Sequence, residues 1–163
     1  MSGTEIVVGI AGSPASAAAL CWAAEQSRLT NTPLRIVHVW QTTTSPLGAA
    51  TAAFWEASAA DARARATRWV LDTLGGGAAT VRWILDIVEG PPGPILVDRA
   101  QHGSLLVLGT GDHVGLRRLV TGSVSHYALS HSAPPVVAVR AAPQPAAGSD
   151  GDGLRQDVRP QRR

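Results

Sequence analysis

Leu105-Leu106-Val107-Leu108-Gly109-Thr110-Gly111-Asp112-His113-Val114-Gly115, with Gly122-Ser123-Val124 soon after, is the stretch on which the fold turns. A wholly apolar run enters a glycine-rich turn, then a loop, then a second Gly-Ser that opens a helical pattern. Open parallel sheets build a phosphate-binding crevice this way, at the carboxyl end of a strand facing a helix N-terminus. Working outward, Ile6–Ile10, Leu34–Trp40, Thr80–Leu85 and Val136–Val139 are further short, β-branched runs that join Leu105–Leu108 as strands. Helical patterns separate them. Ser13-Pro14 is a helix start, with Ser as N-cap and Pro at the first helical position. Ala17, Leu20, Cys21 and Ala24 follow as one apolar stripe. From Ala49 to Leu74 a second stripe runs through Ala53, Ala57, Ala60, Ala64, Thr67, Leu71 and Leu74, stopped by Gly75-Gly76-Gly77. A short helix begins near Pro94, and the last covers Ser123 to Ser130. Strands alternating with helices imply βαβ crossovers, and unbroken apolar strands imply cover on both faces. The spacing predicts one doubly wound α/β domain.

Composition bounds the partners. The chain has 163 residues, 45% hydrophobic and 16% charged, which suits one globular domain. It contains no lysine, and its formal charge of +2 is spread along the chain with no basic stripe interleaved with aromatics. Nucleic acid is therefore not expected as a partner. The one cysteine, Cys21, forms no internal disulfide or cysteine-based zinc cluster and is expected as a buried packing residue. No positively charged leader precedes the first strand and no apolar run is long enough to span a bilayer, so the expected location is the cytoplasm, with no membrane partner. Gln41–Gly48 reads as a surface loop. Residues 141–163 are Pro, Ala, Gly, Asp, Gln and Arg with almost nothing apolar, and are expected to be a disordered tail.

Several chemistries fail on their residues. A P-loop needs Gly-Lys-Ser/Thr, and there is no lysine. A dinucleotide fingerprint needs a third glycine where Val114 stands, and needs it after the first strand. Ser13 and Ser123 sit in no G-x-S-x-G, so serine hydrolysis is not expected. His126 and His131 lie five apart without a carboxylate, and with His102 they read as surface residues rather than metal ligands. His38, inside a strand, reads as a satisfied core histidine. Trp22, Trp55, Trp69 and Trp83 read as core or interface fillers. Phe54 and Trp55 also suit a contact surface. Trp40, ending the second strand, either stacks on a base or caps the core.

Taken in order, Ile6-Val7-Val8-Gly9 with Gly12-Ser13-Pro14, Trp22-Ala23, Val37-His38-Val39, Glu89-Gly90, Leu106 to Thr110, Gly122-Ser123-Val124-Ser125 and Pro135 to Arg140 resemble the universal stress protein family. The resemblance covers residues 4–140. It implies an open five-stranded parallel sheet of strand order 3-2-1-4-5, of the adenine nucleotide alpha hydrolase-like kind, with helices on both faces. It also implies frequent homodimerisation, here through the C-terminal strand Val136–Arg140, and in one branch ATP binding without a dedicated catalytic apparatus. That branch carries glycine, two residues, glycine, nine residues, then glycine and Ser/Thr. Gly109, Gly122 and Ser123 match; the middle position is Asp112, and Ala11 stands where the family has an acidic residue touching the nucleotide.

The resemblance thus places Gly12, Ser13, Val39, Gly109, Thr110, His113, Gly122, Ser123 and Val124 around an adenine nucleotide. His113 is either a donor to ribose or phosphate or a solvated loop histidine, and Arg117 and Arg118 either meet phosphate or face solvent. Asp112 opposes this. A carboxylate ~5 Å from one phosphate charge at an effective dielectric of ~20 repels it by ~3 kcal/mol. Arg117 and Arg118 offset that, as does a Mg²⁺ held by Asp112 between phosphates. The competing expectation is a dimeric interaction protein without a nucleotide, favoured by Ala11 and Asp112. An adenylyl-transferring enzyme lacks its His-x-Gly-His motif here.

Overall fold

Every residue of Ile6–Ile10 is buried, as a strand covered on both faces must be. This strand, β1, is the middle of a five-stranded sheet in the computed structural model, which describes residues 4–41, 52–101, 105–110 and 123–141, the side chains of 52–55 and 123 excepted. β2 (Leu34–Trp40) and β4 (Leu105–Thr110) flank β1, while β3 (Trp83–Glu89) and β5 (Val136–Arg140) form the edges. All four pairings are parallel, and the order is 3-2-1-4-5. Ile6 stands opposite both Leu34 and Leu105, and Thr110 opposite Arg140.

Strand alternation divides the core in two. On one face Ile6, Val8, Ile10, Leu34, Ile36 and Val107 meet Ala19, Leu20 and Ala23 of α1 (Pro14–Thr30) and Val70 of α2 (Ala52–Leu74). On the other, Val7, Val37, Leu106 and Leu108 meet Leu96, Val97 and Ala100 of α3 (Pro92–Ala100) and Ala128 of α4 (Ser123–His131). On the α3 face Arg35 of β2 donates to Glu5 at 2.7 Å and to Asp86 of β3 at 2.8 Å. Glu5 first, and then Asp86, hold the guanidinium pKa above its ordinary value.

α2 turns a different face inward from the one its apolar spacing predicts, and α1 half follows its stripe, burying Leu20 and Ala24 but not Ala17 or Cys21. α1 buries Ala15, Ser16, Ala19, Leu20, Ala23, Ala24 and Ser27. Cys21 is exposed, its Sγ 3.9 Å from the Thr73 carbonyl of α2, so the expectation of a buried thiol is corrected. α2 buries Ala62, Ala66 and Val70, whereas Ala57, Ala60, Ala64 and Leu71 of the predicted stripe face solvent. Alanine supplies too little contrast for periodicity to choose a face.

The third strand is also displaced, from the expected Thr80–Leu85 to Trp83–Glu89. α2 does end at Leu74, where Gly75 takes a left-handed φ of +53°, and Gly75–Thr80 follows as a 3₁₀ segment in which Thr80 donates to the Gly77 carbonyl at 2.8 Å. Asp86 and Glu89, charged residues on an edge strand, hid its second half. α3 begins at Pro92 rather than near Pro94. Trp22, Trp69 and Trp83 are half-buried against the α1–α2 face, with Trp83 Nε1 donating to Ala78 at 3.2 Å. Phe54, Trp55, His102, the predicted loop from 42 to 48 and the tail from 142 to 163 lie outside the described residues or side chains.

Candidate functional site

From β1 the chain crosses to β2, and from β4 it crosses to β5 on the opposite side of the sheet. The crevice between the carboxyl ends of β1 and β4 is therefore the topological switch point, where open α/β sheets take ligands. A cavity of about 240 Å³ opens there. Its apolar wall comes from Val37 and Val39 of β2, Leu108 of β4, and Pro92 and Leu96 of α3. Ser13 and Ser16 close it from α1, Val124 and Ser125 from α4. The volume lies somewhat below the ~300–1,000 Å³ of drug-sized pockets, enough for a planar ring. A larger groove, about 440 Å³, runs along Glu5, Pro33, Arg82 and Ile84 at the amino ends of the strands. That is the wrong end of such a sheet for a ligand.

Local chemistry explains the near wall. Gly12 has φ +71°, a left-handed conformation that glycine takes at no steric cost. It turns the chain from β1 into Ser13, the N-cap of α1. The Ser13 hydroxyl accepts from the Ser16 amide at 3.1 Å, and Ser16 Oγ accepts from the Ser13 amide at 3.0 Å. The Ser16 hydroxyl also donates to the Ser13 carbonyl at 2.9 Å. Both hydroxyls are thus committed to the helix start. Ser125 also reaches the cavity, and only 7% of the residue is exposed. No charged side chain lines the cavity among the described residues, and Ala11 stands on its rim.

Gly109 has a structural duty that its motif does not announce. A Cβ there would fall 2.4 Å from the Ala15 carbonyl carbon and oxygen and 2.6 Å from the Ser16 amide nitrogen. The end of β4 therefore touches the backbone of α1's first turn, and that contact fixes which side of α1 faces the sheet. At Gly12, by contrast, a Cβ would meet nothing within 4 Å, so conformation rather than room requires the glycine.

Ser13, Val39, Gly109 and Val124 thus come together around one cavity. Thr110 turns to β5, where its hydroxyl donates to the Val139 carbonyl at 3.3 Å, and it does not line the cavity. His113, Gly122, Asp112, Arg117 and Arg118 lie outside the described residues, and Ser123 is placed only as the first residue of α4. Trp40 is half-buried and is not among the described residues that line the cavity. His38 is half-buried, its Nδ1 3.2 Å from the Ile10 carbonyl. His126 and His131 are exposed, the His131 ring stacked on Tyr127 at 4.1 Å. No group of three metal-ligating side chains occurs among the described residues. Sequence reasoning missed Ser16, Pro92, Leu96 and Ser125. Of these, only Ser125 left a signal, standing two residues beyond Ser123 at a helix start.

Comparison with known proteins agrees with this architecture. The model of the universal stress protein family matches residues 4–140. Universal stress proteins of Mycobacterium tuberculosis and Mycobacterium bovis are 27% identical over 139 residues, which cover 82% of this chain and 47% of theirs. The chain thus spans about half the length of these curated relatives. Among solved structures, a universal stress protein from Lactobacillus plantarum has a TM-score of 0.64 at 21% identity, covering 84% of this chain and 97% of its own. A universal stress protein in complex with cAMP has a TM-score of 0.63 at 19% identity, covering 87% and 100%. One from Archaeoglobus fulgidus in complex with dAMP has a TM-score of 0.60 at 20% identity, covering 85% and 99%.

Proposed function

The chain belongs to the universal stress protein family, and from that premise we propose that it is a stress-response module that binds an adenine nucleotide in the crevice between β1 and β4. The observation that carries this reading is the cavity itself. Its slot of Val37, Val39, Leu96 and Leu108 suits a base, while α1, α3 and α4 all begin at its rim. Helix N-termini stabilise negative charge, and none of these three has an acidic residue in its first turn. Relatives of this fold bind cAMP and dAMP. ATP is the nucleotide to which the glycine spacing points. Its contacts are Gly12, Ser13, Val39, Gly109, His113, Gly122, Ser123 and Val124, with Thr110 contributing its backbone amide rather than its hydroxyl, and Mg²⁺ is a companion held by Asp112.

The role is binding rather than catalysis, and any hydrolysis is slow and incidental. The protein works in the cytoplasm as a homodimer joined through Val136–Arg140. A second reading, an interaction protein that has lost its nucleotide, is favoured by Ala11 on the rim and by the neutral wall.

The two separate on one experiment. Purified protein is denatured and its supernatant examined for released nucleotide, and refolded protein is dialysed against adenosine, AMP and ATP at millimolar concentration with Mg²⁺. Retention of any adenine compound is expected. Retention of none leaves the interaction protein as the function.

A further inference from the structure

Gly9, in the interior of β1, carries no side chain although its conformation would allow one: its φ is not left-handed. Glycine weakens a strand interior, and where it stands there something approaches closely. Side chains alternate along a strand, so position 9 faces the same side as Val7, toward α3, with Val37 of β2 opposite it in register. Val7 and Val37 are fully buried on that face. Gly9 leaves a gap beside them and lines the cavity.

The ends of two leucines occupy the gap. A Cβ on Gly9 would fall 2.9 Å from Leu108 Cδ2, 2.9 Å from Leu96 Cδ1 and 3.0 Å from Leu96 Cδ2. Leu96 of α3 and Leu108 of β4 are 4% and 3% exposed, in one buried cluster with Val7, Val97, Leu106 and Ala128. Both also line the cavity. A close-packed interior gives them no other way to move, so a methyl group at position 9 would drive their δ carbons into the cavity. With about 240 Å³ in all, the slot has little depth to lose.

We propose that Gly9 sets the size of ring the slot accepts: its missing side chain lets Leu96 and Leu108 sink against β1, opening a recess deep enough for a two-ring base. This rests on the adenine-nucleotide reading above and names the residue that makes a purine the fitting base. A purine fills the recess, whereas a pyrimidine leaves part of it empty and forgoes those van der Waals contacts.

Isothermal titration of the full chain with adenosine and cytidine, which carry no phosphate, isolates the contribution of the base. Wild-type protein is expected to bind adenosine about tenfold or more tighter than cytidine. Gly9→Ala should lose adenosine affinity by about tenfold or more, as overpacking does, while its cytidine affinity holds or rises. The triple variant Gly9→Ala, Leu96→Val, Leu108→Val has no δ carbons to collide with the new methyl, and should recover adenosine affinity to within about threefold. Because it relieves the overlap, it carries the comparison even if Gly9→Ala alone does not fold. Equal affinities for the two nucleosides in the wild type overturn the proposal. So do unchanged adenosine affinity in Gly9→Ala, equal losses of both nucleosides there, and a folded triple variant that does not recover adenosine. A wild-type chain that binds no adenosine overturns the adenine reading itself, and the base slot with it.

Discussion

A methyl group on Gly109 would overlap the Ala15 carbonyl, 2.4 Å away on the backbone of a helix start. Backbone cannot swing aside as the end of a side chain can, so α1 would have to move outward from β4. Overpacking of this kind costs about 1–3 kcal/mol, and Gly109→Ala is expected to lower the urea midpoint accordingly even without ligand. An unchanged midpoint would mean that the glycine serves phosphate approach alone. The same contact explains why the glycine motif was only half legible. Its spacing showed where a strand turns toward a helix. That Ala15 occupies the space above Gly109 depends on residues far apart in the chain. Ser13 was readable because capping is local, and such a cap contributes about 1 kcal/mol. Ser125 was only partly readable, from its place two residues beyond Ser123, because its burial belongs to the assembled cavity.

At the scale of elements, the two sheet edges are unlike. β3 carries Asp86 and Glu89, and Arg63 of α2 donates to the Leu85 carbonyl at 3.2 Å, occupying part of that strand. Charged side chains and covered carbonyls discourage edge pairing. β5, Val-Val-Ala-Val-Arg, is apolar until its last residue, with Ala138 exposed. An edge of that composition is one that proteins pair or cover, which supports the proposed homodimer. Ala138→Arg is expected to convert a dimer to a monomer in sedimentation velocity, with the circular dichroism spectrum unchanged. A wild-type chain that sediments as a monomer would remove β5 as the partner surface. β5 was legible in sequence because its apolar run is unbroken. The carboxyl half of β3 was not, since partnered charges there look like the charges of a loop.

For the whole molecule, the apolar content of both core faces ends with β5, and residues 142–163 add only Leu154 and Val158 as larger apolar groups. A chain ending at residue 141 is therefore expected to melt within about 2 °C of the full chain, since changes outside packed regions stay within about 0.5 kcal/mol. A larger drop would place part of the tail against the domain. The sequence by itself determined the alternation of strand and helix, the parallel sheet and the location of its crevice. Strand hydrophobicity, Ser-Pro helix starts and glycine turns act over a few residues, so they can be read along the chain. Tertiary structure decided which face each alanine-rich helix buries, why Gly109 must lack a side chain, and that no charged side chain among the described residues lines the cavity. Alanine offers almost no amphipathic contrast. The environment of a group is set by neighbours from other elements, and these meet only when the sheet is assembled.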